Sequence, residues 1–477
     1  MLQNQSVAFS CFYHSDLKMT KAERFFINYC LLYRCSYNKV TERSVSVYRE
    51  VIQDSIDYIE DNIKCDISAK ELSERAGFSL YHYYRLFQTA VGLPVMQYIL
   101  RRRLLNAIYE ISCGNKMIDV ALLYGFETHA GFYKAFVREF GCTPAQFQKQ
   151  YKVKKPYRIN IFKEEHIMVT HKKIAGILKL WGLENESISD IYYEGSGNRN
   201  ESAFYVGNDY VIKFSANLGK LNSHIAISKA LENEGLFAAT PVKTLAGEEY
   251  VADGELYFCL TKRLAGSQIK TADMYEGDFA GKARFVGEVV GQLSNALADI
   301  DVLVSEANIY ESVINWAIPQ LKGKIKVSEQ VSRDYKEIFG KLYSVLPKQV
   351  IHRDPNPGNI IVAENKWGFI DFELSERNVR IFDPCYAATA ILSESYEAGD
   401  ESKLSKWIQI YKNIMYGYDD VVKLTEEEKK AIPYVVLSNQ LIALAWFEGK
   451  EKFQELYETN KKMTEWIASM WSELSIE

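Results

Sequence analysis

Between Val45 and Tyr151 apolar residues recur every three or four positions, in VSVYREVIQDSIDYIEDNI and again in VMQYILRRRLLNAIYEI. That period matches the α-helical repeat, so the segment is expected to be almost wholly helical. Past the short basic stretch KQYKVKKPY the rhythm changes. One further helical run, THKKIAGILKLWG, leads into DIYYEGSGNRNESAFYV and DYVIKFS, whose alternation predicts strands around a Gly-rich turn. Two periods in one chain of 477 residues predict a multi-domain protein, an all-α module followed by an α+β one.

The punctuation of the first module is more specific than its period. SAKELSERAGFSLYHYYRLFQTAVG opens with Ser68 and Glu71 at capping-box spacing, turns at Gly77 and restarts with Ser79 as N-cap. This is a helix-turn-helix in which Gly77 supplies the positive φ of a tight turn and Leu80 to Ala90 is the helix suited to a major groove. The pattern then repeats. Gly77, Phe78, Arg85, Phe87 and Gly92 return as Gly125, Phe126, Lys134, Phe136 and Gly141, at an offset of 48 residues drifting to 49. Phe78, Leu86 and Phe87, with their counterparts Phe126, Ala135 and Phe136, are expected to build two similar cores. A long helix around Arg101, Arg102 and Arg103 joins them, and its arginines either make a specific contact, face water or pair with glutamates. Two reading helices on a rigid spacer can meet successive major-groove turns about 34 Å apart. CTPAQF starts a closing helix, with Thr143 as N-cap and Pro144 at the first helical position.

Composition narrows the picture. With 47% hydrophobic and 25% charged residues the chain can fill several cores. Its eight cysteines are scattered, without a CxxC pair or zinc spacing, and read as reduced thiols. No apolar run reaches the roughly 18 residues of a membrane span, and the start lacks the order of a signal peptide, so a cytoplasmic location without membrane contact is expected. The net charge of -5 is uneven: residues 1–45 hold 6 basic and 3 acidic residues, residues 46–155 hold 15 and 12, and the remaining 322 hold 36 and 47. A basic front and an acidic back point to nucleic acid at one end only.

Over roughly residues 46–150 the chain resembles the DNA-binding domain of AraC/XylS-type transcriptional regulators. The likeness rests on IDYIEDNIKCDISAKELSERAGFS, on Gly92-Leu93-Pro94, on the Arg-rich helix and on GFETHAGFYKAFVREFGCTPAQF. It implies double-stranded DNA as partner. The outward face of the first reading helix would be Tyr81, His82, Tyr84 and Arg85, and that of the second His129, Ala130, Gly131, Tyr133 and Lys134. Ala130 and Gly131 depart from the polar pattern, which shifts the second helix from base reading toward phosphate contact and shape.

In the second module the strongest signal is QVIHRDPNPGNIIVAENKWGFIDFELSE. It holds H-x-D-x-x-x-x-N as His352, Asp354 and Asn359, then an apolar hairpin, then I-D-F-E with Asp371 at a strand end. Phosphoryl transfer from ATP needs a carboxylate on the acceptor hydroxyl and oxygen ligands for Mg2+. Asp354 is the candidate base, Asn359 and Asp371 the metal ligands, and His352 an internal brace of the loop. Lys213, in a strand 16 residues beyond Gly197, is the candidate cation on the α- and β-phosphates. Gly195, Ser196, Gly197 and Asn198 offer backbone amides to phosphates. That turn is a weak signal by itself, because GSGN hairpins are common.

These residues resemble those of the aminoglycoside phosphotransferase and choline kinase group of the protein-kinase-like fold, over roughly residues 170–477. The resemblance implies a bilobal α+β domain, ATP or another nucleoside triphosphate with Mg2+, and a small-molecule acceptor bearing a hydroxyl. It also implies an adenine-holding hinge in FCLTKRLAG, near Lys262 to Leu264. Only eleven residues separate Asp371 from Asp383 and no APE-type segment follows, so a peptide-docking platform is not expected. Asp383 reads as a structural cap for the loop. In the family a helix glutamate pairs the strand lysine; here His224 stands at that place, with Glu232 and Glu234 as alternatives. The acidic tracts SESYEAGDES and GEEYVADGE suit either a cationic acceptor or a solvated face.

The expected organisation is therefore residues 1–45 without a recognisable motif, residues 46–155 as the double helix-turn-helix and residues 156–477 as the phosphotransferase-like domain, with lobes at 156–265 and 266–477. Three functions are compatible with it: a transcriptional regulator with an active small-molecule phosphotransferase, one whose kinase-like domain only senses nucleotide or ligand, or a phosphotransferase for which DNA binding is accessory, for instance autoregulatory.

Overall fold

The computed structural model describes residues 48–150, 153–162, 168–192, 199–254, 256–364 and 366–476. The chain divides into two compact units, Met1–Ile99 with Ile159–His166, and Leu100–Arg158 with Ile167–Glu477. The division falls within one helix, so the second helix-turn-helix belongs to the same unit as the α+β part.

The described part of the first unit is helical. Helix α1 (residues 48–61) precedes α2 (Ala69–Arg75) and α3 (Leu80–Val91), and α4 (Val95–Ser112) begins here. Ser68 caps α2 through the Glu71 amide. The Glu71 carboxylate takes the Tyr58 hydroxyl of α1, and the Arg75 guanidinium lies 3.9 Å over the Tyr58 ring. Gly77 turns the chain at φ 71°, a left-handed conformation that strains any residue with a Cβ. Phe87, Tyr83 and Tyr98 form the buried core, with Phe78 only half-buried.

The second unit opens with the rest of α4, then α5 (Met117–Leu123), α6 (His129–Phe140) and α7 (Pro144–Gln150). Phe132, Phe136, Phe140 and Phe147 are packed together as its aromatic core. Thr143 and Gln146 satisfy each other's amides, at 3.1 and 2.9 Å, which fixes the start of α7. Arg101 and Arg102 do not face solvent. Arg101 pairs with Glu139 at 2.7 Å, with side chains only 8% and 12% exposed, and Arg102 donates to the Tyr157 carbonyl at 2.7 Å. Of the three readings open to these arginines, pairing inside the module is the one realised for Arg101.

The α+β part begins with α8 (His171–Leu178), capped by Thr170. Strands β1 (Ile188–Tyr192), β2 (Arg199–Val206), β3 (Tyr210–Ser215), β5 (Val251–Asp253) and β6 (Leu256–Lys262) form an antiparallel sheet in the order β1-β2-β3-β6-β5. Its inner face packs Phe204, Ile212, Phe214, Phe258 and Leu260 against Ile174, Leu178 and Trp181. Helix α9 (Leu218–Asn233) follows β3. After β6 come β7 (Ser267–Gln268) and α10 (Phe279–Ala298), then a mainly helical body. That body carries two small sheets: β4 (Phe237–Ala238) with β11 (Lys366–Phe369), β10 (Ile360–Ala363) and β7, and β8 (Ser305–Glu306) with β12 (Glu376–Val379) and β9 (Lys348–Ile351). The body's large core joins α10 to the helices Phe382–Ser395, Glu401–Val422, Glu426–Phe447 and Gln454–Ser469. No helix among the described residues is long and apolar enough to cross a membrane.

Because the Arg101–Glu139 pair is largely shielded, removing one partner strands the other charge. Arg101→Ala is expected to lower stability by about 3 kcal/mol, measured by urea denaturation of the second unit's helical signal; a change within error would mean the pair is solvated.

Candidate functional site

The loop between β9 and β10 carries His352, Asp354 and Asn359, and the turn after β11 carries Asp371. His352 is fully buried. Its Nε2 lies 3.0 Å from the Ile370 carbonyl and its Nδ1 accepts from the Asp354 amide at 3.3 Å, so both ring nitrogens brace backbone on the two sides of the site. Burial lowers its pKa, which keeps the ring neutral for that pattern. Asp383 caps the same loop, as its position suggested: its two oxygens accept from the amides of His352 and Arg353, each at 2.9 Å. Burial pushes the Asp383 carboxyl up to about 6. Arg353 between them adopts φ 73° and sends its guanidinium to Glu376 at 3.0 Å.

Asp354 is held from several directions. Asn356 Nδ2 donates to its Oδ1 at 2.8 Å, and Asn359 Nδ2 donates to its carbonyl at 2.8 Å and its Oδ2 at 3.2 Å. Tyr386, which has no signal in the local motif, lies close enough to this carboxylate to influence its charge. Burial raises the Asp354 carboxyl to about 6, and those hydrogen bonds oppose the rise. The Ile370 amide donates to the Asn359 carbonyl at 3.0 Å, which sets Asn359 beside the turn that carries Asp371.

Asp371 itself has φ 73°, uncommon for a residue with a Cβ. Lys213 reaches it from β3, Nζ to Oδ1 at 2.8 Å, and reaches Glu373 Oε1 at 3.6 Å. Burial alone would raise the Asp371 carboxyl, but the Lys213 ammonium outweighs it and the net shift is downward. Burial raises Glu373, with the same ammonium pulling the other way. His224 of α9 is 2% exposed and accepts the Phe372 amide at 3.3 Å on Nδ1. Burial, then the Lys213 charge, lowers its pKa to about 3. Phe372 lies between the rings of His224 and His352, at 6.1 and 4.7 Å.

The structure thus brings Lys213, Asp371, Asp354, Asn359 and His352 into one neighbourhood. Glu232 and Glu234 are exposed, and Glu232 accepts from Thr240, so neither is placed as the partner of Lys213. Among the described residues the carboxylates that reach Lys213 are Asp371 and, farther off, Glu373. Glu373 was visible in the I-D-F-E run but carried no signal of its reach to β3. Lys262 ends β6, exposed and opposite Tyr210, and Leu264 lies two residues on, half-buried. Gly266 follows at φ 133°, where a Cβ would come within 2.6 Å of the Val362 carbonyl, so the segment after β6 lies tight against β10. Gly195, Gly197 and Asn198 lie outside the described residues.

The donors fit a hard cation. Asn359 and Asp371 offer oxygen ligands, and Mg2+ commonly takes one or two such side chains and completes its shell with phosphates and water. Among the described residues no group of three or more His, Cys, Asp or Glu side chains forms a metal site.

In the helix-turn-helix segments, Ser79 caps α3 and Thr128 caps α6. On α3, Tyr81 is 74% exposed, His82 and Arg85 are exposed and Tyr84 is half-buried. His82 packs edge-on to Phe78 at 5.1 Å, and the Arg85 guanidinium lies 6.0 Å from the Tyr81 ring. On α6, His129, Ala130, Gly131, Tyr133 and Lys134 are all exposed, with His129 Nε2 3.0 Å from Met117 Sδ. Each set faces solvent from the first turns of a capped helix.

Comparison with known proteins decides the family of each part. Residues 72–150 match the model of the helix-turn-helix domain, and residues 195–407 match that of the phosphotransferase enzyme family. The chain joins an AraC-type helix-turn-helix domain to a phosphotransferase-family domain. An uncharacterized HTH-type transcriptional regulator of Bacillus subtilis, YbfP, is 32% identical over 130 residues, 27% of this chain and 42% of that protein. The HTH-type transcriptional activator AarP of Providencia stuartii is 29% identical over 117 residues, 24% of this chain and 87% of that protein. The match thus spans less than half the length of the first of these relatives. Among solved structures, a microcompartment-associated aminopropanol kinase is similar with a TM-score of 0.49 and 13% identity, over 63% of this chain and 96% of that one.

In the phosphotransferase-family domain Asp383→Ala orphans two loop amides. At roughly 1–3 kcal/mol for each unsatisfied group, a loss of about 2–6 kcal/mol is expected in the denaturation of that domain. Asp383→Asn should lose about half as much, since one carbonyl oxygen remains; equal stability of all three forms would remove the capping role.

Proposed function

We propose that the chain is a DNA-binding transcriptional regulator whose second domain transfers the γ-phosphoryl group of ATP, or of another nucleoside triphosphate, to a hydroxyl of a small molecule. The observation that supports this most is the convergence of Asp354, Asn359, Asp371 and Lys213 from three separate segments onto one site. Packing alone does not call for it.

In this reading Asp354 orients the acceptor hydroxyl and takes its proton as the oxygen bonds to the γ-phosphorus. The bond from that phosphorus to the bridging oxygen breaks, and the nucleoside diphosphate leaves with the electron pair. Asn356 and Asn359 hold the Asp354 carboxylate for that task. Lys213 lies on the α- and β-phosphates, the backbone amides at Gly195, Gly197 and Asn198 cover them, and the segment from Lys262 to Leu264 holds the base. Mg2+ on Asn359 and Asp371 supplies charge neutralisation of the phosphates. In the other domain, Tyr81, His82, Tyr84 and Arg85 of α3 face one groove segment of double-stranded DNA. His129, Tyr133 and Lys134 of α6 face another, with phosphate contact the larger share for α6 because Ala130 and Gly131 carry no polar group.

A direct chain of contacts supports communication between the domains. Arg102 of α4 holds the Tyr157 carbonyl, and the Tyr157 hydroxyl donates to Glu201 of β2 at 2.7 Å. Phe147 of α7 packs edge-on to Tyr192 at the end of β1, at 6.2 Å. Strand β2 pairs with β3 at Ala203 and Lys213. The second helix-turn-helix therefore grips both strands that flank the Gly-rich turn, and nucleotide binding is expected to alter DNA affinity.

Three outcomes follow. ATP turnover against a panel of hydroxyl compounds should show at least one acceptor, and Asp354→Ala should lower that rate by roughly 10²–10⁴-fold; equal turnover for both proteins across the panel leaves only nucleotide sensing. DNA binding titrated at several salt concentrations should fall steeply, and Arg85→Ala and Lys134→Ala should each reduce the slope by about 1; a flat dependence contradicts phosphate-anchored groove binding. Mg-nucleotide should change DNA affinity by at least about fivefold, and Tyr157→Phe should shrink that change; an unchanged affinity would separate the two activities.

A further inference from the structure

Lys213 has an unusual set of neighbours, given the work proposed for it. Its side chain is 12% exposed, so its charge depends on partners more than a solvated lysine's does. The first is Asp371 at 2.8 Å, which also stands as a metal ligand in the proposed reaction. A carboxylate cannot bind a cation in full and remain the whole counter-charge of an ammonium.

Among the described residues, the groups that β6 and α9 bring near Lys213 include no carboxylate within ion-pair reach. On β6 the residue paired with it is Cys259, whose thiol burial pushes up to about 12 and keeps neutral. On α9 the residue nearest in influence is His224, which is neutral and spends Nδ1 on the Phe372 amide. Lys220, also on α9, adds positive charge near Glu373. Glu232 and Glu234 at the end of α9 are exposed. The one further carboxylate brought within ion-pair reach among the described residues is Glu373, at 3.6 Å with its side chain 20% exposed. Its Oε1 is buried and makes no hydrogen bond, so it is not committed elsewhere. Phe372, wedged between the two imidazoles, fixes the backbone that carries it.

We propose that Glu373 is the positioning residue of Lys213, holding the ammonium toward the nucleotide phosphates when Asp371 turns to the metal. This rests on the phosphotransferase reading of the site. It places the anchor of the lysine on the loop that also bears the metal ligand, two residues away, and not on α9. Metal ligand and anchor then share one loop, facing the lysine on β3.

The inference is tested by nucleotide binding to the full chain, first with ADP in excess EDTA and then with a non-hydrolysable ATP analogue and Mg2+. Without metal, the lysine supplies the side-chain cation at the phosphates. Glu373→Gln should therefore weaken metal-free ADP binding by tenfold or more, and Glu373→Asp, which keeps the charge at shorter reach, should recover part of the loss. Adding His224→Glu to Glu373→Gln, which puts a carboxylate back beside the lysine from α9, should also restore binding. Melting of each variant reports whether it folds, and the Asp and double variants keep the test open if Glu373→Gln does not. Metal-free binding unchanged by Glu373→Gln overturns the proposal, and so does a loss seen only with Mg2+, which would make Glu373 a metal ligand. Absence of nucleotide binding by the unaltered chain would instead remove the phosphotransferase reading and this inference with it.

Discussion

The ion pair between Lys213 and Asp371 joins residues 158 positions apart, one on the antiparallel sheet and one on the loop after β11. The Lys213 charge, on a side chain only 12% exposed, is tolerable because a carboxylate stands beside it. Much of the surrounding structure sets this pair in place. The sheet register puts Lys213 between Ala203 and Cys259, and the left-handed turn at Asp371 presents its carboxylate to β3. His352 and His224 hold the backbone on either side of that turn as neutral acceptors and braces. Neutrality matters here, because a second or third positive charge next to Lys213 would compete for the same carboxylates.

Around this pair the loop that bears Asp354 is built almost without freedom. Asp383 ties down its first two amides and His352 its third, while Asn356 and Asn359 fix the carboxylate. Such over-determination is what a reacting group needs if it is to meet a substrate without reorganising. The helix-turn-helix segments use their charges differently. Arg101 and Arg102 are spent inside the protein, on Glu139 and on the Tyr157 carbonyl, and the cations left on the reading helices are Arg85, Lys134 and Arg138.

What was legible in the sequence was what is local. The two helix-turn-helix units, their caps at Ser79 and Thr143, and the turn at Gly77 follow from spacings of a few residues. So does the grouping of His352, Asp354 and Asn359. Partners across long separations were not legible. Ser68 and Glu71 have capping-box spacing, yet the glutamate side chain is drawn off to Tyr58, a tertiary contact that outweighs the local one. For the arginines of α4 pairing with glutamates was one of the open readings, but the acceptors themselves, Glu139 and the Tyr157 carbonyl, lie 38 and 55 residues away and could not be named. The partner of Lys213 was sought on the helix after it, whereas it lies on the loop after β11. No pattern of three or four residues encodes that approach.

The central claim is that Lys213, Asp371, Asn359 and Asp354 form one nucleotide-and-metal site. The most direct measurement is a crystal structure of the chain with a non-hydrolysable ATP analogue and Mg2+. The account predicts density for the cation at the side-chain oxygens of Asn359 and Asp371, the Lys213 ammonium on the α- and β-phosphates, and the γ-phosphate facing Asp354. A nucleotide bound elsewhere, or bound with Lys213 still closed on Asp371 and no cation between the phosphates and Asn359, would contradict it.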